Sequence, residues 1–214
     1  MKYDAILFDV DGTLLDTSEG ILLSLKQTLD RFGIDYSFLT EEDNSSFIGP
    51  PMELSLTKWF NLTGDKNTEV CSGYRKTYRE DNIMLATPYE GIEQVLVTLR
   101  DSGIALGVAS YKKQDYLGRI LEGFGMDKYF DVICGSDYTG NLTKADIINC
   151  CISGLGIEDK SRVLMIGDTT YDSSGAKEAG VDFAFARWGF GDVPEEDYVM
   201  CVDAPSDLTE LMIS

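Results

Sequence analysis

Apolar residues run without interruption through Ala5-Ile6-Leu7-Phe8 and then give way to Asp9, Asp11 and Gly12. A short unbroken run of that kind predicts a strand buried on both faces, with acidic side chains emerging at its tip. The period then changes. Ile21, Leu22, Leu25, Leu29 and Phe32 recur on one helical face, with Thr17 or Ser18 as candidate N-cap and Gly33 as the stop. Met52, Leu56, Trp59 and Phe60 repeat the helical spacing, as do Val70, Tyr74 and Tyr78, and β-branched alternation is missing before Pro88. From Gly91 onward helices and strands alternate. A helix (Ile92, Val95, Leu96, Leu99) leads to a strand from Ile104 to Ala109, a helix (Leu117, Ile120, Leu121, Phe124) and a short strand, Asp131-Val132-Ile133-Cys134. The rhythm continues with a helix carrying Ile147, Ile148, Cys151 and Ile152, the strand Val163-Leu164-Met165-Ile166, and a helix through Ala176 and Ala179. Strand Phe183-Ala184-Phe185-Ala186, the stretch Tyr198 to Val202, and a final helix through Leu208 and Leu211 complete the chain.

Such alternation predicts an α/β fold: a doubly wound, Rossmann-like parallel sheet covered on both faces, interrupted by one early all-helical insertion. The expected insertion is roughly residues 16–84, which leaves about residues 1–15 and 85–214 as the core. It departs and returns beside the first aspartates, so Leu15-Asp16-Thr17 and Leu85-Ala86-Thr87 are the expected hinges of a lid.

Composition narrows the function. With 37 acidic against 18 basic residues, the net charge of −19 disfavours nucleic acid and anionic membranes as partners. The chain contains no histidine, which removes Cys/His zinc sites and Ser-His or Cys-His nucleophilic pairs. Acid-base work falls to carboxylates, lysine and hydroxyls. Five cysteines, odd in number and without a C-x-x-C pattern, read as reduced thiols rather than a disulfide framework. Met1-Lys2-Tyr3-Asp4 leads straight into the first strand, and no apolar run is long enough to cross a bilayer. The expectation is a soluble cytoplasmic protein.

A second acidic cluster, Gly167-Asp168-Thr169-Thr170-Tyr171-Asp172, closes the Val163 to Ile166 run. In a parallel sheet both acidic tips face one crevice. Four carboxylates converging there repel one another unless a cation lies among them.

The stretch Phe8-Asp9-Val10-Asp11-Gly12-Thr13-Leu14 resembles the first signature of the haloacid dehalogenase superfamily, largely Mg²⁺-dependent phosphohydrolases. Gly107-Val108-Ala109-Ser110 is similar to its second signature, Thr143-Lys144-Ala145 to the third, and Gly167-Asp168-Thr169 with Asp172 to the fourth. Phe47-Ile48-Gly49-Pro50-Pro51-Met52 and Gly175-Ala176-Lys177-Glu178-Ala179-Gly180 resemble runs of the phosphoglycolate-phosphatase-like subfamily, whose insertion is a helical C1 cap. Four motifs in order are far more specific than one.

The resemblance implies roles. Asp9 is the candidate nucleophile, forming an aspartyl-phosphate, and Asp11 the general acid and base. Asp168 is the expected Mg²⁺ ligand alongside Asp9 and the backbone carbonyl of Asp11, with Asp172 ligating directly or through water. Ser110 would hold phosphoryl oxygens; capping the next helix is the alternative. Lys144 is a point charge for the phosphoryl group and the nucleophile. Tyr111, followed by Lys112, stands where the family often has asparagine, and Glu90 where relatives often have proline. Gly49 and Pro50 belong to a stiff loop expected to read substrate, or else to join two helices. Arg75 and Arg79 are candidates for a second anionic group of the substrate, or for surface pairing with Glu69 or Glu80. Asp168 has helix capping as its alternative.

The implied activity is hydrolysis of a small phosphorylated metabolite, with phosphoglycolate as the leading named substrate. Nucleotidase, pyrophosphatase and phosphoglucomutase-like enzymes are the nearer rivals, the last disfavoured because such relatives commonly use a cap histidine. A receiver-like phosphoacceptor module is the non-enzymatic rival; receivers place the acceptor on a later strand and lack the insertion. Oligomeric state is left open by the sequence.

Overall fold

The apolar runs at residues 5–8 and 163–166 become strands whose side chains are buried on both faces. A computed structural model describes residues 2–209. In chain order the main elements are β1 (Ala5–Phe8), α1 (Ser18–Phe32), α2 (Met52–Phe60), α3 (Gly64–Thr77), α4 (Ile92–Asp101), β2 (Ala105–Lys113), α5 (Gln114–Gly123) and β3 (Val132–Ser136). They are followed by α6 (Lys144–Leu155), β4 (Val163–Gly167), α7 (Thr170–Ala179), β5 (Asp182–Ala186) and β6 (Met200–Val202). Residues 207–209 are helical, whereas Leu211, expected in the same helix, lies outside the described residues.

The chain divides into two compact units, residues 1–16 with 88–214 and residues 17–87. In the first, six strands pair in parallel in the order β3-β2-β1-β4-β5-β6. The order reverses between β1 and β4, and in doubly wound sheets the crevice beyond the carboxyl ends of such a pair is where ligands bind. Leu7, Ala109 and Met165 point to the face covered by α6 and α7, where Ile147, Ile148, Cys151 and Ala176 meet them. The opposite face is covered by α4 and α5 through Leu96, Leu99, Leu117 and Ile120, all fully buried. With 0% exposure along all of Ala5–Phe8, β1 is the centre of the core.

Two expectations need correction here. β2 does not end at Ala109 but runs on to Lys113, with an irregular register between those residues before Lys113 pairs with Ser136. Apolar alternation stops at Ala109, so the polar continuation Ser110-Tyr111-Lys112-Lys113 gave no strand signal. Ser110 is therefore a strand residue and not a helix cap; Lys113 takes the N-cap position of α5.

The second unit, residues 17–87, is helical. α1 ends on Gly33 in the left-handed conformation, as the pattern predicts. Asn67 locks α3 to α2, its side-chain amide donating to the carbonyls of Glu53 and Leu62 and to the Thr57 hydroxyl. Arg75 pairs with Glu53 of α2 rather than with Glu69, while Arg79 does meet Glu80, at 3.4 Å. Gly49 and Pro50 are half-buried between a 3₁₀ turn (Glu42–Phe47) and α2.

Candidate active site

The tips of β1 and β4 carry the acidic residues because the hydrophobic runs end there while the chain is still held in the sheet. The N–H of Asp9 still donates to the carbonyl of Ile166, at 2.9 Å. Beyond Asp9 the chain folds into a tight turn in which Thr13, Leu14 and Leu15 all donate to the Val10 carbonyl. Gly12 makes that turn at φ +79°, a conformation side chains resist, and a Cβ there would collide with the Asp168 carboxylate. Asp168 thus lies directly against the first motif.

Gly12→Ala should therefore cost about 2 kcal/mol, lowering the melting temperature by roughly 4–8 °C. Gly180 has the same φ of +79° but open space around it, so Gly180→Ala measures the conformational cost alone. Calorimetry of both variants should show the larger loss for Gly12→Ala.

Six buried charged side chains meet in this crevice. Lys144, at the first turn of α6, places Nζ 2.8 Å from Asp9 Oδ1 and 2.6 Å from Asp172 Oδ1. Lys112 places Nζ 2.9 Å from Asp11 Oδ1. Asp172 Oδ2 accepts the backbone N–H and hydroxyl of Thr169, closing a capping box at the start of α7. Thr169, not Asp168, is thus the N-cap. Asp168 accepts the N–H of Phe190 at 2.8 Å and faces the Thr13 hydroxyl at 3.5 Å, neutral donors in both cases. Asp9, Asp168 and Asp172 each offer an oxygen within 4.8 Å of the others. The side chain of Asp11 turns to Lys112 instead.

Burial sets the electrostatics. It pushes the Asp9 carboxyl up to about 6, with Lys144 pulling it back and Asp172 and Asp11 raising it further. Burial likewise raises Asp168 well above the ordinary range, reinforced by Asp172 and Asp9. For Lys144 burial opposes the charge, but Asp172 and Asp9 outweigh it and hold the ammonium form. With all four carboxyls ionised, they exceed the two ammonium groups by two negative charges in a site where every member is at most 8% exposed. An all-oxygen donor set with a deficit of two positive charges fits a hard divalent cation.

Around this centre, the Ser110 hydroxyl accepts the N–H of Lys112 at 3.2 Å, leaving its own proton to donate. The Tyr111 hydroxyl accepts the N–H of Lys144 at 2.9 Å, and its ring lies 5.8 Å from the Lys144 ammonium. A loop after β5 closes the far side, with Trp188 Nε1 donating to the Thr13 carbonyl at 3.1 Å. The structure thus brings together Asp9, Asp11, Ser110, Tyr111, Lys144, Asp168 and Asp172, while Gly49 and Pro50 belong to the helical unit. Sequence reasoning overlooked Lys112 and the 188–190 loop. Lys112 stands two residues after Ser110, the same-face spacing of a strand, and would have been found had β2 been extended. The loop left no comparable signal.

An acidic, lysine-lined crevice at the switch point of a parallel sheet defines an α/β enzyme of carboxylate chemistry. Comparison with known proteins gives the family: residues 6–186 match the haloacid dehalogenase-like hydrolases. A phosphoglycolate phosphatase of Aquifex aeolicus is 32% identical over 97% of this chain and 95% of its own. The pyrophosphatase PpaX of Halalkalibacterium halodurans is 30% identical over 95% of this chain and 91% of its own. The crystal structure of a predicted phosphatase from Clostridium acetobutylicum superposes with a TM-score of 0.90 at 32% identity, covering 99% of this chain and 98% of that one. The chain belongs to the haloacid dehalogenase-like hydrolase family and is an enzyme of its phosphatase branch.

Proposed function

We propose that the enzyme is a Mg²⁺-dependent phosphomonoesterase for a small phosphorylated metabolite, with phosphoglycolate as the first candidate, working through an aspartyl-phosphate on Asp9. The observation that carries this reading is the buried centre itself: one carboxylate oriented by a lysine, a second beside it on its own lysine, and two charges short of neutrality.

The residues divide the reaction between them. Lys144 fixes the Asp9 carboxylate, and an oxygen of Asp9 attacks phosphorus as the ester P–O bond breaks. Asp11, held by Lys112, acts in its protonated form as the acid that gives a proton to the departing alkoxide; as the carboxylate it then takes one from the water that attacks the aspartyl-phosphate and returns Asp9. Ser110 donates its free hydroxyl proton to a phosphoryl oxygen. Tyr111, through its bond to the Lys144 backbone, secures the start of α6. Asp9, Asp168 and Asp172, with the Asp11 carbonyl, are the residues that would hold Mg²⁺, which when bound neutralises the carboxylates and the phosphoryl oxygens. Gly49 and Pro50 are the candidates for reading the non-phosphate part of the substrate.

A screen of phosphorylated metabolites for released phosphate tests the assignment, with EDTA and an Asp9→Asn control. It should include phosphoglycolate, nucleoside monophosphates, pyrophosphate and sugar phosphates, because relatives of similar identity are named for phosphoglycolate and for pyrophosphate. Failure to hydrolyse any phosphomonoester in Mg²⁺ would end it.

The charge deficit predicts a separate stability signature. A carboxyl whose folded pKa is raised, as for Asp9 from 3.8 to about 6, destabilises the fold progressively as pH rises through that interval. Metal-free protein should thus gain about 1–3 kcal/mol on going from pH 7 to pH 5. Saturating Mg²⁺ should remove most of that difference by stabilising the pH 7 form. Asp168→Asn should melt higher than wild type without metal and lose the Mg²⁺ response. Thermal melts at both pH values, with and without Mg²⁺, decide it.

A further inference from the structure

We infer that Cys134 and Cys150 are a modification site, a thiol pair that closes to a reversible disulfide between β3 and α6, apart from the acidic crevice. The two sulfurs approach to 2.6 Å, compared with about 2.05 Å for a formed bond. They come from elements that pack on one another, so closure requires only a small side-chain movement. Cys134 points into the core on the α6 face and is 6% exposed; Cys150 is exposed, giving an oxidant one sulfur to reach. The adjacent Cys151 turns inward, its thiol donating to the Val108 carbonyl at 2.9 Å. Cys134 also touches Cys151, but that thiol is fully buried, so access singles out Cys150 as its partner among the five cysteines.

The oxidant class is a hydroperoxide. The Cys150 thiolate attacks the peroxide oxygen, the O–O bond breaks, the alcohol or water leaves, and Cys150 becomes a sulfenic acid. The Cys134 sulfur then attacks the Cys150 sulfur; the S–O bond breaks and the hydroxide leaves as water with the Cys134 proton. Two thiols surrender two electrons and the peroxide accepts them. The hydrogen bond to Cys134, with burial, pushes the Cys150 thiol up to about 11, so the first step is slow near neutrality and accelerates with pH. Geometry favours the second step. The bond joins α6 to β3 less than two helical turns from Lys144, bracing the helix that supplies that side chain.

Hydrogen peroxide titration of the whole protein, followed by intact mass and peptide mapping, tests the pair. The expected product has lost two hydrogens, retains three alkylatable thiols, carries a 134–150 linked peptide, reverts with dithiothreitol, and melts higher than the reduced form. It should form at least tenfold faster at pH 9 than at pH 7. Cys150→Ser, a change at an exposed position, should leave the fold intact and abolish the two-hydrogen loss. Accumulation of Cys150 sulfinic acid without linkage, dimers joined through Cys150, or an undiminished two-hydrogen loss in Cys150→Ser would overturn the assignment.

Discussion

Asp9→Asn is expected to lower kcat for phosphate release by at least ~10⁴-fold while leaving the melting temperature unchanged or slightly raised. The amide keeps the shape of the carboxylate but is not a nucleophile, so no aspartyl-phosphate forms. Stability should survive because burial already penalises the charged form of Asp9, and removing that charge relieves repulsion with Asp172 and Asp11. Lys144 retains Asp172 at 2.6 Å as its partner, so no buried ammonium is stranded. Phosphate release and a thermal melt on one preparation separate the two effects. Turnover within tenfold of wild type would remove Asp9 from the nucleophile role.

Lys144→Met should strike both activity and stability. Losing the cation beside the nucleophile and the incoming phosphoryl group should cost about 10²–10³ in kcat, the scale seen when one preorganised electrostatic donor is removed. The larger surprise lies in folding. The side chains of Asp9 and Asp172 are 6% and 2% exposed, and both lose their counter-charge at once. Breaking a buried pair from one side typically costs about 3–5 kcal/mol. Denaturant curves without metal should show that loss, and Mg²⁺ should recover part of it. A kinetic defect with no loss of stability would mean that the carboxylates find compensation elsewhere.

The strand tips were legible because the signal is local. Ala5-Ile6-Leu7-Phe8 ending on Asp9, and Val163 to Ile166 ending on Asp168, each announce a buried strand with an acid at its end, and the parallel order follows from the intervening helices. What escaped was decided by distant packing. Lys112 and Lys113 look like surface residues until β2 is seen to extend through them, and Lys112 is buried only because Asp11 receives it. Asp168 reads as a possible cap, and only the capping box of Thr169 with Asp172 moves that position one residue on. Glu69 stands six residues before Arg75, outside the three- or four-residue spacing at which side chains meet along a helix, and the packing of α2 against α3 presents Glu53 instead. Helical periodicity cannot foresee a partner brought by the fold.

The position of β1 in the sheet bears on how the protein is made. Encoded ahead of its partners, this fully apolar strand has its neighbours at residues 105–108 and 163–166, so one edge stays open until the first segment is made and the other until the second. Until β4 has been synthesised, the growing chain carries Asp9, Asp11, Lys112 and Lys144 but lacks Asp168 and Asp172, and it exposes sticky backbone on the unpaired edge of β1. The growing chain is thus chemically inert and most prone to association during the same interval, and both conditions end when the segment around residues 163–172 docks.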